Sequence, residues 1–149
     1  MTRKNLILLI LSVSLVIGVI LTGGCVDQET VTPDQETPVQ IIKDVTPQEA
    51  LTLIQNNQNN PDSVIMDVRT PQEFAEGYIE NAVNIDFYAE TFRDKLNKLD
   101  KNKTYLVYCR SGVRSTNALN MMTELNFREA YNMLGGLIAW KEGGLPTTK

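Results

Sequence analysis

The chain has 149 residues at 16.7 kDa, room for one compact domain with a short appendage and too little for a two-domain enzyme of ordinary size. Hydrophobic residues make up 42% and charged residues 21%, so a core is buried, while a net charge of -4 with no long basic run argues against nucleic acid as a partner. There is no histidine, which excludes His dyads, triads, His metal sites and imidazole proton shuttles.

Arg3 and Lys4 precede Leu6 to Leu21, an uncharged run of apolar and small residues that is shorter than the ~20 residues of a relaxed transmembrane helix. This is the pattern of a signal peptide, with a retained membrane anchor as the alternative. Leu21-Thr22-Gly23-Gly24-Cys25 resembles the lipobox of lipoproteins, in which the Cys thiol receives the lipid. The resemblance implies a signal peptide over 1–24 and a lipidated Cys25, with the protein exported and anchored to the outer face of the cell membrane. Residues 25–40 then form a flexible tether, polar and Pro-bearing, in which Asp27-Gln28-Glu29-Thr30 recurs as Asp34-Gln35-Glu36-Thr37. With Cys25 lipidated, Cys109 is the one free thiol and no intramolecular disulfide can form.

Residues 41–149 alternate helical and strand patterns. Thr46-Pro47-Gln48-Glu49 is a capping box opening a helix through about Ile54. Val64 to Val68 reads as a buried strand, Thr70 and Pro71 start a short helix through about Glu76, and Ala82 to Ile85 is a brief strand. Phe92, Leu96 and Leu99 share one helical face, and Thr104 to Tyr108 is the clearest strand in the chain. After Cys109-Arg110-Ser111-Gly112-Val113-Arg114-Ser115 comes a helix with Ala118, Met122 and Leu125 on its inner stripe, then a strand over Ala130 to Leu134 and a helix over Gly136 to Lys141. Strands separated by helices predict an α/β fold: a small parallel sheet of about five strands with helices on both faces. Sites in such sheets form beyond the carboxyl ends of the strands, where Cys109 falls.

The segment from Cys109 to Ser115 resembles the active-site loop of the rhodanese family. Asp67-Val68-Arg69, Glu73-Phe74, Gly77-Tyr78-Ile79, Ala82-Val83-Asn84-Ile85, Leu134-Gly135-Gly136, Trp140 and Gly144-Leu145-Pro146 match the family in order over roughly Val39 to Thr147. The chain departs from it at Tyr78, where a His is usual, and at Glu80-Asn81, where Pro-Gly is common. The resemblance implies a sulfurtransferase that moves sulfane sulfur from thiosulfate or a related donor to cyanide or a thiol acceptor, without a cofactor or metal. A thioredoxin-like protein is one such acceptor.

The chemistry of the loop can also be argued directly. A thiol attacks as a thiolate, and an ordinary pKa near 8.5 leaves little of it at neutral pH, so a catalytic Cys needs positive surroundings. With no histidine available, Arg110 and Arg114 are expected to supply them, together with inward-turned amides where Gly112 permits a tight curve and Ser115 opens a helix. Cys109 is therefore expected to be the nucleophile. Arg110, Ser111, Gly112, Val113, Arg114 and Ser115 line the anion site, and Asp67 and Arg69 support it. From Lys101 to Thr123 there are four basic residues and no carboxylate, so the local sign suits an anionic donor even in an acidic protein.

Each residue also has a plainer reading. Cys109 could be an inert strand-end thiol and Arg110 and Arg114 solvated charges. Asp67 and Arg69 could be a structural pair, Gly135 and Gly136 a turn, and Trp140 core. Two rival functions remain: a non-catalytic persulfide carrier or docking module, and a Cys-dependent phosphatase. Phosphatase loops have five residues between Cys and Arg, whereas Cys109 and Arg114 are separated by four, a smaller ring suited to sulfur or a small oxyanion.

Overall fold

The computed structural model describes residues 39–149; the signal and lipidation positions, and the tether up to residue 38, lie outside the described residues. Five strands form one sheet in the order β1-β5-β4-β2-β3. They are β1 (Ile41–Val45), β2 (Ser63–Asp67), β3 (Val83–Asn84), β4 (Thr104–Tyr108) and β5 (Glu129–Met133). All neighbouring pairs are parallel, so the expected α/β architecture is present. The elements read from the sequence supply only four of these strands. The fifth, β1, sits at the sheet edge with most of its residues exposed, and Ile41-Ile42-Lys43-Asp44-Val45 lacks the continuous apolar run of an interior strand.

Strand β4 is central and its side chains alternate between two cores, as a period of two requires. Tyr105, Val107 and Cys109 face one core with Phe92 and Leu96 of α3 (Phe92–Asn97) and Ala118, Leu119 and Met122 of α4 (Val113–Glu124). Leu106 and Tyr108 face the other, with Ala50 of α1 (Pro47–Asn56) and Leu137 and Trp140 of α5 (Gly136–Glu142). Trp140 is core, and its indole Nε1 donates to the Pro146 carbonyl at 2.8 Å.

The short helix α2 (Pro71–Ala75) starts with Thr70-Pro71-Gln72-Glu73, the same tetrapeptide that opens α1, and both starts close a full capping box. The Thr hydroxyl accepts from the N3 backbone N–H, and the N3 Glu accepts from the N-cap N–H. Helix α4 begins two residues earlier than expected. Gly112 is its N-cap at φ 98°, which places Ser115 inside the first turn. Gly112 has no side chain to cap the helix; its carbonyl accepts from the Thr116 N–H and the Thr116 hydroxyl at 2.9 Å each, and the Ser115 hydroxyl lies 2.9 Å from it.

Candidate active site

The carboxyl ends of β2, β4 and β5 bring Asp67, Tyr108, Cys109 and the Gly135-Gly136 turn to the same end of the sheet. Where β4 stops, the chain folds from Cys109 to Gly112 into a cup whose amides point inward. The Gly112 N–H donates to Cys109 Sγ at 3.1 Å, and the Ser115 hydroxyl lies 3.5 Å from the same sulfur. The carbonyls are drawn outward by α5: the Leu137 N–H donates to the Cys109 carbonyl at 2.8 Å and the Ile138 N–H to the Arg110 carbonyl at 3.0 Å. The Arg110 carbonyl belongs to the same peptide as the Ser111 N–H, one of the amides on the sulfur, so the bond from α5 orients that peptide plane.

Gly136 makes this contact feasible. At φ +58° it sits so close to the loop that a Cβ would come within 2.5 Å of the Cys109 carbonyl oxygen and 2.6 Å of the Arg110 carbonyl carbon. In the sequence, Gly135-Gly136 signals only a turn.

Burial works to raise the Cys109 thiol pKa, and hydrogen bonds from the Ser115 hydroxyl and the Ser115, Ser111 and Gly112 amides outweigh it, so the net shift is downward. Of the groups expected around the thiolate, the inward-turned amides are on the sulfur, whereas neither guanidinium hydrogen-bonds to it. Arg114 turns away to Glu73, whose two carboxylate oxygens accept from Nη1 and Nη2 at 2.7 Å each. Arg110 makes no ion pair among the described residues and borders the openings on both sides of the loop. The cradle is chiefly one of dipoles.

Cys109 is only 1% exposed, so the sulfur lies on the floor of the cup and not at the surface, as a freely exposed thiol would. The period of two along β4 turns it toward α4. An inert core thiol would be surrounded by apolar groups alone; this one has donors aimed at it. A cleft of about 370 Å³ beside the loop is lined by Glu73, Tyr88, Arg110, Ser111, Val113 and Arg114. A larger cleft of about 800 Å³, between α1 and β2, includes none of the loop residues.

Asp67 and Arg69 form a buried brace. Arg69 Nη2 meets Asp67 Oδ2 at 2.6 Å and also donates to the Gly77 carbonyl at 2.7 Å. Asn84 Nδ2 donates to both the Asp67 and Arg69 carbonyls, tying β3 to the same corner. Burial opposes the Arg69 charge, and the hydrogen bond to Asp67 more than restores it. The pair thus holds the segment after β2, as its plainer reading had it. Tyr78, the departure from the expected His, stacks on Phe74 at 4.0 Å between ring centroids and packs α2 against the following segment.

Replacing Ser115 by Ala should raise the Cys109 pKa and leave the fold intact, because three amides remain on the sulfur. The measurement is the rate of iodoacetamide alkylation against pH. A profile that does not move upward would remove the hydroxyl from the thiolate's support.

Glu73 is held well below the usual carboxylate range, to about 2, chiefly by its hydrogen bonds to Arg114 and against the effect of burial. Because the unfolded chain binds that proton at about 4.5, the stability contributed by the pair is complete above that pH and is withdrawn as pH falls toward about 2. Denaturant midpoints from about pH 6 downward should fall less steeply in Glu73→Gln than in the parent. Equal slopes would show that the ion pair carries none of the acid sensitivity.

The fold and the site define an α/β domain with one free thiol among the described residues, set in an amide-lined loop at the carboxyl end of its central strand. The rhodanese-like domain model matches residues 46–143, and the chain belongs to that family. A sulfurtransferase of Allochromatium vinosum is 33% identical over 95 residues, covering 64% of this chain and 87% of that protein. A tRNA uridine(34) hydroxylase of Photorhabdus laumondii is 33% identical over 98 residues, but these span only 27% of that protein. Among solved structures, a rhodanese-like domain protein of Staphylococcus aureus is 34% identical with a TM-score of 0.56, covering 72% of this chain and 99% of that one. A rhodanese-related protein of Thermoplasma volcanium is 27% identical with a TM-score of 0.59, covering 71% and 97%.

Glu73 and Gly136 are the residues whose roles went unread in the sequence. The repeat of Thr-Pro-Gln-Glu at 46–49 and 70–73 marks Glu73 as a helix-start residue, and nothing local predicts its reach across to Arg114.

Proposed function

We propose that the domain is a sulfurtransferase working through a persulfide on Cys109. The observation that carries this reading is the ring of donors on Cys109 Sγ, with the Gly112 N–H at 3.1 Å. Such a ring stabilises the thiolate before reaction and an anionic persulfide after it. Cys109 thiolate bonds to the outer sulfur of thiosulfate, the bond between that sulfur and the sulfonate sulfur breaks, and sulfite leaves with the electron pair. Cyanide or a thiolate acceptor then bonds to the outer sulfur of the persulfide, and the Cys109 thiolate is restored as the S–S bond breaks. Arg110, beside the mouth of the loop, is the guanidinium available to the incoming anion. Ser111 and Ser115 contribute amides, Gly112 the bend, and Val113 an apolar lip.

The family match and the sulfurtransferase of Allochromatium vinosum support this class of reaction. The four-residue spacing between Cys109 and Arg114 favours sulfur over a phosphate ester. In the same reading, residues 1–24 are a signal peptide, and lipid on Cys25 with a tether over 25–40 holds the domain at the outer face of the membrane. A thiol protein there, thioredoxin-like in its chemistry, is the acceptor.

The test is intact-mass analysis after exposure to thiosulfate. A gain of one sulfur atom on Cys109, removed by cyanide or a dithiol, is expected. A persulfide that no acceptor discharges would make the domain a carrier, and hydrolysis of a phosphotyrosine mimic with no sulfur gained would make it a phosphatase.

A further inference from the structure

Three donors converge on one carbonyl at the start of α4. The Gly112 oxygen accepts from the Thr116 N–H and the Thr116 hydroxyl at 2.9 Å each, and the Ser115 hydroxyl also lies 2.9 Å from it. A carbonyl oxygen has two lone pairs, so three protons cannot share it well. Among the described residues Ser115 has a second acceptor and Thr116 does not: the Ser115 oxygen is 3.5 Å from Cys109 Sγ, within hydrogen-bond reach of an atom as large as sulfur. The Thr116 oxygen instead receives Asn132 Nδ2 at 3.1 Å, which leaves its own proton directed at Gly112.

Asn132 is set to donate. It is 1% exposed on β5, and its Nδ2 also donates to Asp44 Oδ1 of β1 at 2.8 Å. Turning the amide over would bring its oxygen against a carboxylate oxygen, an acceptor facing an acceptor. The orientation is kept although it leaves Asn132 Oδ1 buried with no partner among the described residues. We infer that Thr116, oriented by Asn132 and Asp44, is a positioning residue: by filling the Gly112 carbonyl it directs the Ser115 proton onto Cys109 Sγ. No proton is transferred; the hydroxyl donates to the thiolate and keeps its hydrogen. Of the groups that lower the Cys109 pKa, the amides are fixed by the backbone, and the Ser115 hydroxyl alone has a hydrogen that can rotate to another acceptor. The inference deepens the sulfurtransfer reading and rests on it for any effect on turnover, but not for the effect on the thiol.

Thr116→Val and Thr116→Ala both remove the hydroxyl at an exposed helix position, where neither threatens the fold. Without it, the Ser115 proton returns to the nearer Gly112 oxygen. The rate of Cys109 alkylation by iodoacetamide, measured on the rising limb of the parent's pH profile, should fall roughly threefold to tenfold, and the profile should move to higher pH. Thr116→Ser keeps the hydroxyl and should retain the parent profile. Adding Ser115→Ala to Thr116→Val should lower the rate no further than Ser115→Ala alone, since both act on one proton. A parent-like profile in both Thr116→Val and Thr116→Ala, or additive losses in the double variant, would overturn the inference. If parent Cys109 gains no sulfur from thiosulfate, the sulfurtransfer reading fails, while the alkylation rates still decide this inference.

Discussion

Cys109→Ser is expected to abolish sulfur transfer, with a fall in kcat/KM of about a thousandfold or more, equivalent to about 4 kcal/mol of transition-state stabilisation. A serine hydroxyl stays protonated at neutral pH, and its oxygen is a poor partner for a sulfane sulfur even with the same amides around it. The fold should survive, because the Gly112 N–H then donates to a hydroxyl oxygen and the packing volume changes little. Circular dichroism separates the two effects. Turnover unchanged in a folded Cys109→Ser protein would move the nucleophile elsewhere and end the persulfide account.

Gly136→Ala carries the second large effect, and it acts from outside the loop. The added carbon would have to occupy space within 2.5 Å of the Cys109 carbonyl oxygen and 2.7 Å of the Arg110 carbonyl oxygen, both backbone atoms that cannot rotate away. Relief requires α5 to withdraw, which breaks the Leu137 and Ile138 N–H bonds that turn the loop carbonyls outward. A left-handed φ of +58° adds about 1–2 kcal/mol for any residue with a Cβ. The total loss of stability should be roughly 3 kcal/mol, and a displaced cup should slow transfer by about a hundredfold. The alkylation profile of Cys109 should also move to higher pH as the amides leave the sulfur. Gly144→Ala is the control: at φ +69° it has the same backbone preference but no atom within 4 Å of the added carbon. It should lose about 1 kcal/mol and keep its activity. If both variants behave alike, the contact between α5 and the loop is not what shapes the cup.

Comparing the two variants separates nucleophile from scaffold. Cys109→Ser removes the reacting atom from an intact ring of donors, whereas Gly136→Ala leaves the atom and disturbs the ring. Ser115→Ala, which removes one donor of several and leaves the cup in place, should have the smallest effect on rate of the three.

The alternating elements and the position of the reactive thiol were legible without coordinates, because both rest on local rules. A period of two along Thr104 to Tyr108, a capping box at Thr46 and a glycine three residues after the cysteine depend on near neighbours in the chain. Edge strand β1 was not legible, since its pairing with β5 spans most of the domain and its exposed faces leave no apolar run. The inward-turned amides were legible in the loop itself, but the partner of Arg114 was not. Two arginines near a cysteine in sequence look like its counter-ions, but a carboxylate 41 residues before Arg114 takes that guanidinium instead. The choice between a charged cradle and a dipolar one depends on which groups α2 and α5 bring to the loop, and distances between elements far apart in the chain exist only once the sheet has assembled.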